Sequence, residues 1–402
     1  MSDLLMTDNG TRDIVNFDAQ TGALDAPSWL IPTRTLANRG LGRQRGQLGS
    51  LHLEEVRDHL KVLSDKQQAH DYDRSFSQLH VDFQSGRVIA QFLGPNGLEG
   101  EPMLVHKNAY TQMCSSLLPR SGGNFLLELA STGEQGRKAA TGNWFLFRKG
   151  QEVPRMIRTV YTRDPVSGKV MPMIRSQHSQ GYGTYDNLTF VQNLLDNAPE
   201  LADMPVIHWK LSDTGMRLRF ATTPTDQIEL RKPVPIIEGW NSEVGQRRVG
   251  LVAGSWKLLC WNGMSHWDKG TEFHWRHWGN SERIEQGVES AICELRTAAN
   301  GVVEAYDAAG DIFVEDTFGF IETELKRAKV SGAHISAAQE ALSDETTTEG
   351  NRLTSVVDAI TLAAQDLDLF LQADLESAAA RTMQRGRAIA RDNGGRIPAV
   401  AA

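Results

Sequence analysis

No stretch of this sequence reaches the ~18 consecutive apolar residues that a membrane-spanning helix requires. The N-terminal "MSDLLMTDNGTRDIVNFD" has no basic region leading into an apolar run, so secretion and membrane insertion are not expected. Cysteine is scarce: Cys114, Cys260 and Cys293 are an odd number without a Cys-x-x-Cys pair. That argues against a disulfide framework and fits a reducing, cytosolic compartment. The phosphate-binding Gly-x-x-x-x-Gly-Lys-[Ser/Thr] loop is missing, which disfavours an ATP-driven motor. Gly-x-Ser-x-Gly, His-Glu-x-x-His and the kinase motifs are missing too. Positive charge is also in deficit. A net charge of −8 leaves no bulk cation excess for coating a polyanion, so any nucleic-acid site must be a local patch.

What is present is the composition of a folded domain. The 402 residues are 40% hydrophobic and 23% charged, enough for a large α+β core with appended segments. Residues 1–50 are Asp-rich and then Arg/Gly-rich, with Arg34, Arg39, Arg43 and Arg45 in "TRTLANRGLGRQRGQLGS". They read as a loosely ordered arm, either solvated or touching a neighbouring subunit or polyanion. "SLHLEEVRDHLKVLSDKQQ" is expected to be an amphipathic helix capped by Ser50. "FSQLHVDFQSGRVIAQF", "PRMIRTVYTR", "VMPMIR" and "PVIHWKLSDTGMRLRF" alternate as strands and hairpins. The expected class for 51–300 is therefore α+β, a twisted antiparallel sheet flanked by helices, with 301–402 a helical C-terminal region. Acidic residues dominate from Glu340 to Glu376, and Arg381, Arg385, Arg387, Arg391 and Arg396 come after them. This reversal of sign reads as a solvated helix before a frayed basic tail, or as an interaction arm.

The densest chemistry lies between Trp240 and Asn280, which hold six of the nine tryptophans. Indoles can wall a core, or they can stack on bases while neighbouring cations track phosphates. In "RRVGLVAGSWKLL", a strand pair turning near Gly254 would send Val249 and Leu251 one way and Lys257 outward. Trp275 and Trp278, which flank Arg276 and His277, are the indoles expected to be exposed. Cys260, His266, His274 and His277 are the best metal candidates, but only the last two form a close pair, and zinc sites commonly use two. Glu282 and Glu285 share a helix face at i, i+3, where a solvated surface is the simpler reading.

Several segments together resemble the phage/plasmid-like protein family, a domain of unknown function found in bacteriophages and mobile elements. "SQGYGTYDN" (Ser179, Tyr182, Asp186, Asn187) is similar to that family's Ser-x-x-Tyr-x-x-x-Asp-Asn. "NSEVGQRRVGLVAGSWKLLCWNGM" resembles its Asn-Ser-Glu-x-Gly opening (Asn241, Ser242) and its Cys-x-Asn-Gly close (Cys260, Asn262, Gly263). "RHWG" resembles its Arg-His-x-Gly, ending at Gly279, and "NRLTSVVDAITLAAQ" its late helix. The resemblance spans roughly residues 95 to 370 in colinear order. The insert "RDPVSGKVMP" is longer than the pattern, and the Arg/Gly arm lies outside it.

The resemblance implies a phage or mobile-element protein that binds single-stranded DNA or RNA, with ATP-independent annealing or recombination as its candidate role and a homo-oligomer as its assembly. No cofactor or metal is called for, and an enzyme is the less favoured reading. A basic sheet face of Arg175, Lys210, Arg217, Arg219, Arg247 and Arg248 would form the groove, with Lys257, Trp275, Arg276 and His277 at its aromatic edge. Two other classes stay open. One is a phage-encoded protein-interaction or host-defence-inhibiting protein. The other is a hydrolase with a metal at the imidazole cluster.

Overall fold

The period-2 stretches pair into two sheets rather than one, because two sets of apolar faces are covered by different helices. The computed structural model describes residues 13–18, 23–25, 51–84, 87–117, 154–164, 167–229, 232–259, 262–343, 350–364, 367 and 369–399. The first sheet has six strands in the order β3-β7-β8-β6-β5-β4: β3 (His70–Ser75), β4 (Leu79–Gln84), β5 (Arg87–Gly94), β6 (Gly97–Val105), β7 (Pro154–Arg163) and β8 (Val170–Ser179). All pairings are antiparallel except β6 with β8, where Leu104 faces Met173. Helix α2 (Lys107–Leu117) supplies Ala109, Tyr110 and Met113 to a core with Val81, Ala90, Val105, Ile157 and Ile174.

The second sheet has seven strands in the order β13-β12-β11-β10-β9-β1-β2. They are β1 (Asp13–Asp18), β2 (Ala23–Asp25), β9 (Val206–Ser212), β10 (Met216–Ala221), β11 (Pro233–Asn241), β12 (Val249–Leu259) and β13 (Asn262–Trp275). Part of the N-terminal arm is thus built into the sheet. Its β1 pairs with β9 and satisfies backbone groups that would otherwise form an open edge. Arg34 to Arg45 lie outside the described residues. Trp240 to Asn280 also depart from expectation, since Val249–Leu259 is one continuous strand with Gly254 paired to Ile236, not a turn.

Both faces of this sheet are covered. On one, α1 (Leu53–Gln67), α3 (Asn187–Asn197) and α4 (Glu282–Ala309) pack on Trp209, Leu211, Leu218, Phe220, Val249 and Leu251. Helix α1 starts one residue after His52, whose backbone N–H donates to Glu55 Oε2 at 2.9 Å. This is the acid-side half of a capping box, with His52 in place of the expected Ser50. On the other face, Ala380 joins Ile207, Ala221, Ile236, Val252 and Trp256. Ala380 belongs to α8 (Leu369–Asp392), the last of the C-terminal helices after α5 (Thr317–Arg327), α6 (Gly332–Leu342) and α7 (Leu353–Leu362). A short parallel pair, β14 (Phe313–Val314) with β15 (Arg396–Ile397), closes that unit. Helix α4 runs unbroken across residue 300, with Ile284 to Ala299 in the sheet core and Tyr306 and Ala309 in the helical core. The basic tail is ordered, with Arg381, Arg385, Arg387 and Arg391 on α8 and Arg396 on β15. No described helix is long and apolar enough to cross a membrane.

Candidate nucleic-acid interface

Three segments far apart in sequence meet where the two sheets abut: the loop from β8 into α3, the turn after β11, and the residues after β13. Asn241 ends β11, and its Nδ2 donates to Tyr185 O at 2.8 Å and to Asn187 Oδ1 at 3.0 Å. Ser242 Oγ donates to Thr214 O at 2.6 Å, and Tyr182 Oη donates to Ser242 O at 3.3 Å. The Asn187 N–H, the first of α3, donates to Glu243 Oε1 at 2.7 Å. Asp186 holds the N-cap position without capping. It is drawn instead to Arg158 of β7, with Nη2 at 2.7 Å from Oδ1. Glu243 therefore brings the negative charge that the helix start favours.

Burial works against the charge on Glu243, but the guanidiniums of Arg175 and Arg158 and the Asn187 N–H outweigh it and lower its pKa. Asp186 goes the other way: burial, then the nearby Glu243 charge, raises its pKa against the pull of Arg158.

Beside this network three rings form a column. His178 stacks on Tyr182 with centroids 3.7 Å apart, and Tyr182 stacks on His277 at 4.9 Å. His277 is buried, and its Nδ1 lies 3.2 Å from Gly183 O. Burial first, then the Arg158 charge, pull the His178 pKa down to about 3, and burial lowers that of His277. Both rings are neutral near pH 7. Because the folded pKa of His178 is depressed, its contribution to stability is complete above its ordinary value of 6.5 and is lost as pH falls from there toward 3. By about pH 5 the loss from this ring alone is about 2 kcal/mol. Urea midpoints measured across that range should fall, and His178→Gln should flatten the fall. A flat wild-type profile would contradict the buried neutral column.

The column also fixes the segment after β13. With His277 anchored inward, its neighbours Arg276 and Trp278 are exposed, Trp278 to 65%. Gly279 N–H donates to Gly181 O at 2.8 Å. The φ of Gly279 is +81°, in the left-handed region where a side chain is strained. A Cβ on Gly183 would stand 2.5 Å from Gly279 O, so this approach also requires glycine. The Trp278 indole lies over Gly181, where a Cβ would sit 3.8 Å from the ring. Val249 faces Trp275 in the β12/β13 register, which puts exposed Arg248 and Arg276 at the next position on the same sheet end.

Other expected site residues are placed differently. Arg217 and Arg219 do not face solvent. Both are buried beneath α8, where they pair with Glu238 and Glu376. Arg175 is also buried, with Nη1 at 2.5 Å from Glu243 and Nε donating to Asp213 O. A guanidinium matched to a buried carboxylate is not available to a phosphate, so these three do not form a groove. Lys210 is half-buried on β9, opposite Asn16 of β1. Arg247 is half-buried 3.6 Å from Asp374, and burial lowers its pKa. Trp275 is packed against the core and stacked on Phe273, not exposed.

The residues on which the family resemblance rests, Ser179, Tyr182, Asp186, Asn187, Asn241, Ser242 and Gly279, converge. Asn262 and Gly263 lie on β13 opposite Leu259 and Leu258. Cys260 and the side chains of Lys257 and His266 lie outside the described residues. His274 pairs with Glu272 at 3.2 Å while His277 is in the column, and among the described residues no group of three candidate ligands could hold a metal. Glu282 accepts a hydrogen bond from Asn280 at 2.8 Å. Ser176 Oγ lies 2.8 Å from His178 Nε2, but Ser176 is fully buried, so no substrate reaches that hydroxyl. Sequence reasoning does not single out Glu243, Arg158 or His178. Glu243 sits inside the Asn-Ser-Glu motif, and the even-numbered polar run Ser176/His178 on β8 is the available signal for a covered polar strand.

Comparison with protein-family models, with curated proteins and with solved structures finds no match.

Proposed function

We propose that the chain is a single-stranded nucleic-acid-binding protein of the phage/plasmid-like kind, acting without ATP and assembling with copies of itself. One observation carries the reading. Exposed Arg248 and Arg276 each lie one residue beyond the Val249/Trp275 pair at one sheet end, and Arg276 and the exposed indole of Trp278 flank His277 of the buried ring column. Like charges gathered at one sheet end repel, and an exposed tryptophan forgoes burial. Both costs are offset when a phosphate lies between the guanidiniums and a base stacks on the ring.

Trp278→Ala should weaken binding of a labelled oligothymidylate by ~1–3 kcal/mol without changing its salt dependence. Arg248→Ala with Arg276→Ala should reduce the slope of log K against log salt by about 1.4, about 0.7 for each phosphate contact. Titrations at several salt concentrations measure both. Equal binding by wild type and both variants rejects the site.

A further inference from the structure

Helix α8 buries Leu375, Ala378, Ala379, Met383 and Ala390 and exposes Arg381, Arg385, Arg387 and Arg391. At 3.6 residues per turn these four arginines fall within an arc of about 160° and span about 15 Å of the axis. On a chain of net charge −8, such a concentration calls for a cause. The helix dipole favours cations in the last turn and accounts for Arg391, but Arg381 and Arg385 lie further back. Ion pairing accounts for one more. Glu324 of α5 is shared by Arg385 at 3.1 Å and Arg327 at 2.5 Å. Among the described residues no carboxylate pairs with Arg381, Arg387 or Arg391.

The face also points back to the site. Asp374 lies two turns before Arg381 on the same side of α8, and it meets Arg247, the neighbour of Arg248. Basic surface therefore resumes at Arg381, about 10 Å along the helix from Asp374, the residue that meets Arg247.

We propose that the arginine face of α8 is a second phosphate track, along which the same single strand continues after leaving the Trp278 platform. This rests on the nucleic-acid reading of that platform. Arginine suits the role because its planar fork binds phosphate oxygens in pairs and stays charged at any working pH.

The test compares wild type, Trp278→Ala and a triple variant, Arg381→Gln/Arg387→Gln/Arg391→Gln, using a short oligothymidylate and one several times longer. The triple variant should bind the long strand at least about tenfold more weakly, with its salt slope reduced by about 2, and the short strand as wild type does. If the triple variant binds both lengths as wild type does while Trp278→Ala weakens both, the track is overturned and the platform stands. If Trp278→Ala has no effect but the triple variant loses the long strand, the α8 face binds a strand by itself, the platform reading fails, and the continuation from the platform is overturned. Should the triple variant bind normally but change its mass by light scattering, the face is a contact between copies and the proposal is overturned. Circular dichroism of the triple variant confirms that these solvent-facing changes leave the fold intact.

Discussion

Glu376→Ala should be among the most destabilising single substitutions in the chain, costing ~3–5 kcal/mol. Glu376 is 1% exposed on the sheet-facing side of α8 and accepts from both Arg217 and Arg219. The same two guanidiniums donate to Glu238, Arg217 Nε at 2.6 Å from Oε1. Two cations and two anions meet here, and their four charges sum to zero. Burial opposes the charge of Arg219 and of Glu376, yet the carboxylates of Glu376 and Glu238 raise the Arg219 pKa, and Arg217 and Arg219 lower that of Glu376. Alanine at 376 removes one anion and strands a positive charge between helix and sheet, and an uncompensated buried charge costs far more than the intact pair contributes. The quartet is also what carries α8 across a sheet face already lined by Trp256, Val252 and Ile236. Urea unfolding monitored by circular dichroism measures the effect. Replacing the whole set with apolar residues of similar volume should be far milder than removing Glu376 alone, because no charge is then left without a partner.

The second large effect is expected at Glu243. Its carboxylate is bonded to Arg175 Nη1 at 2.5 Å and to the first N–H of α3 at 2.7 Å, so Glu243→Ala leaves a buried guanidinium and an uncapped helix start. The stranded guanidinium should cost ~3–5 kcal/mol, with a further ~1 kcal/mol from the cap. Because the turn bearing Glu243 also receives Tyr182 Oη at Ser242 O, the ring column that anchors His277 should loosen as well. The variant should therefore lose both stability in urea and oligonucleotide affinity. Arg248→Ala should lose affinity alone. If Glu243→Ala unfolds at the wild-type midpoint, the network is not what joins the two sheets.

Much of the secondary structure is legible in the sequence because it rests on local periodicity. Leu79, Val81 and Phe83 alternate with polar residues along one strand of a hairpin, and Ile284, Val288, Ile292 and Leu295 repeat as a helix face does. The division into two sheets is not legible, since strand alternation marks a buried face without saying which helix covers it. The same ambiguity misplaces the arginines. Arg217 and Arg219 alternate with Leu218 and Phe220 as solvent-facing residues would, and only Glu376, 157 residues beyond Arg219, shows that a helix lies over them. One hint is local: Glu238 interrupts the apolar strand "PVPIIEGWN", and a carboxylate in a strand covered on both faces needs a cation nearby. The motif residues fare better as a set than as roles. Tyr182, Asn187, Asn241 and Ser242 do gather, but as the buried frame, while the exposed residues are Arg276 and Trp278 of the shortest motif. Trp275 and Trp278 are told apart only by where His277 is anchored.

On the nucleic-acid proposal, a corner made of Trp278, Arg248 and Arg276 holds an unpaired strand by stacking and by phosphate contacts. The most direct measurement is the affinity of the wild-type chain for a labelled oligothymidylate as salt is raised. Log K should fall linearly with log salt, with a slope of about −1.4 or steeper from two phosphate contacts at this corner, and binding should quench tryptophan fluorescence in a way that is lost in Trp278→Ala. Absence of binding at low salt, or binding that is indifferent to salt, would contradict it.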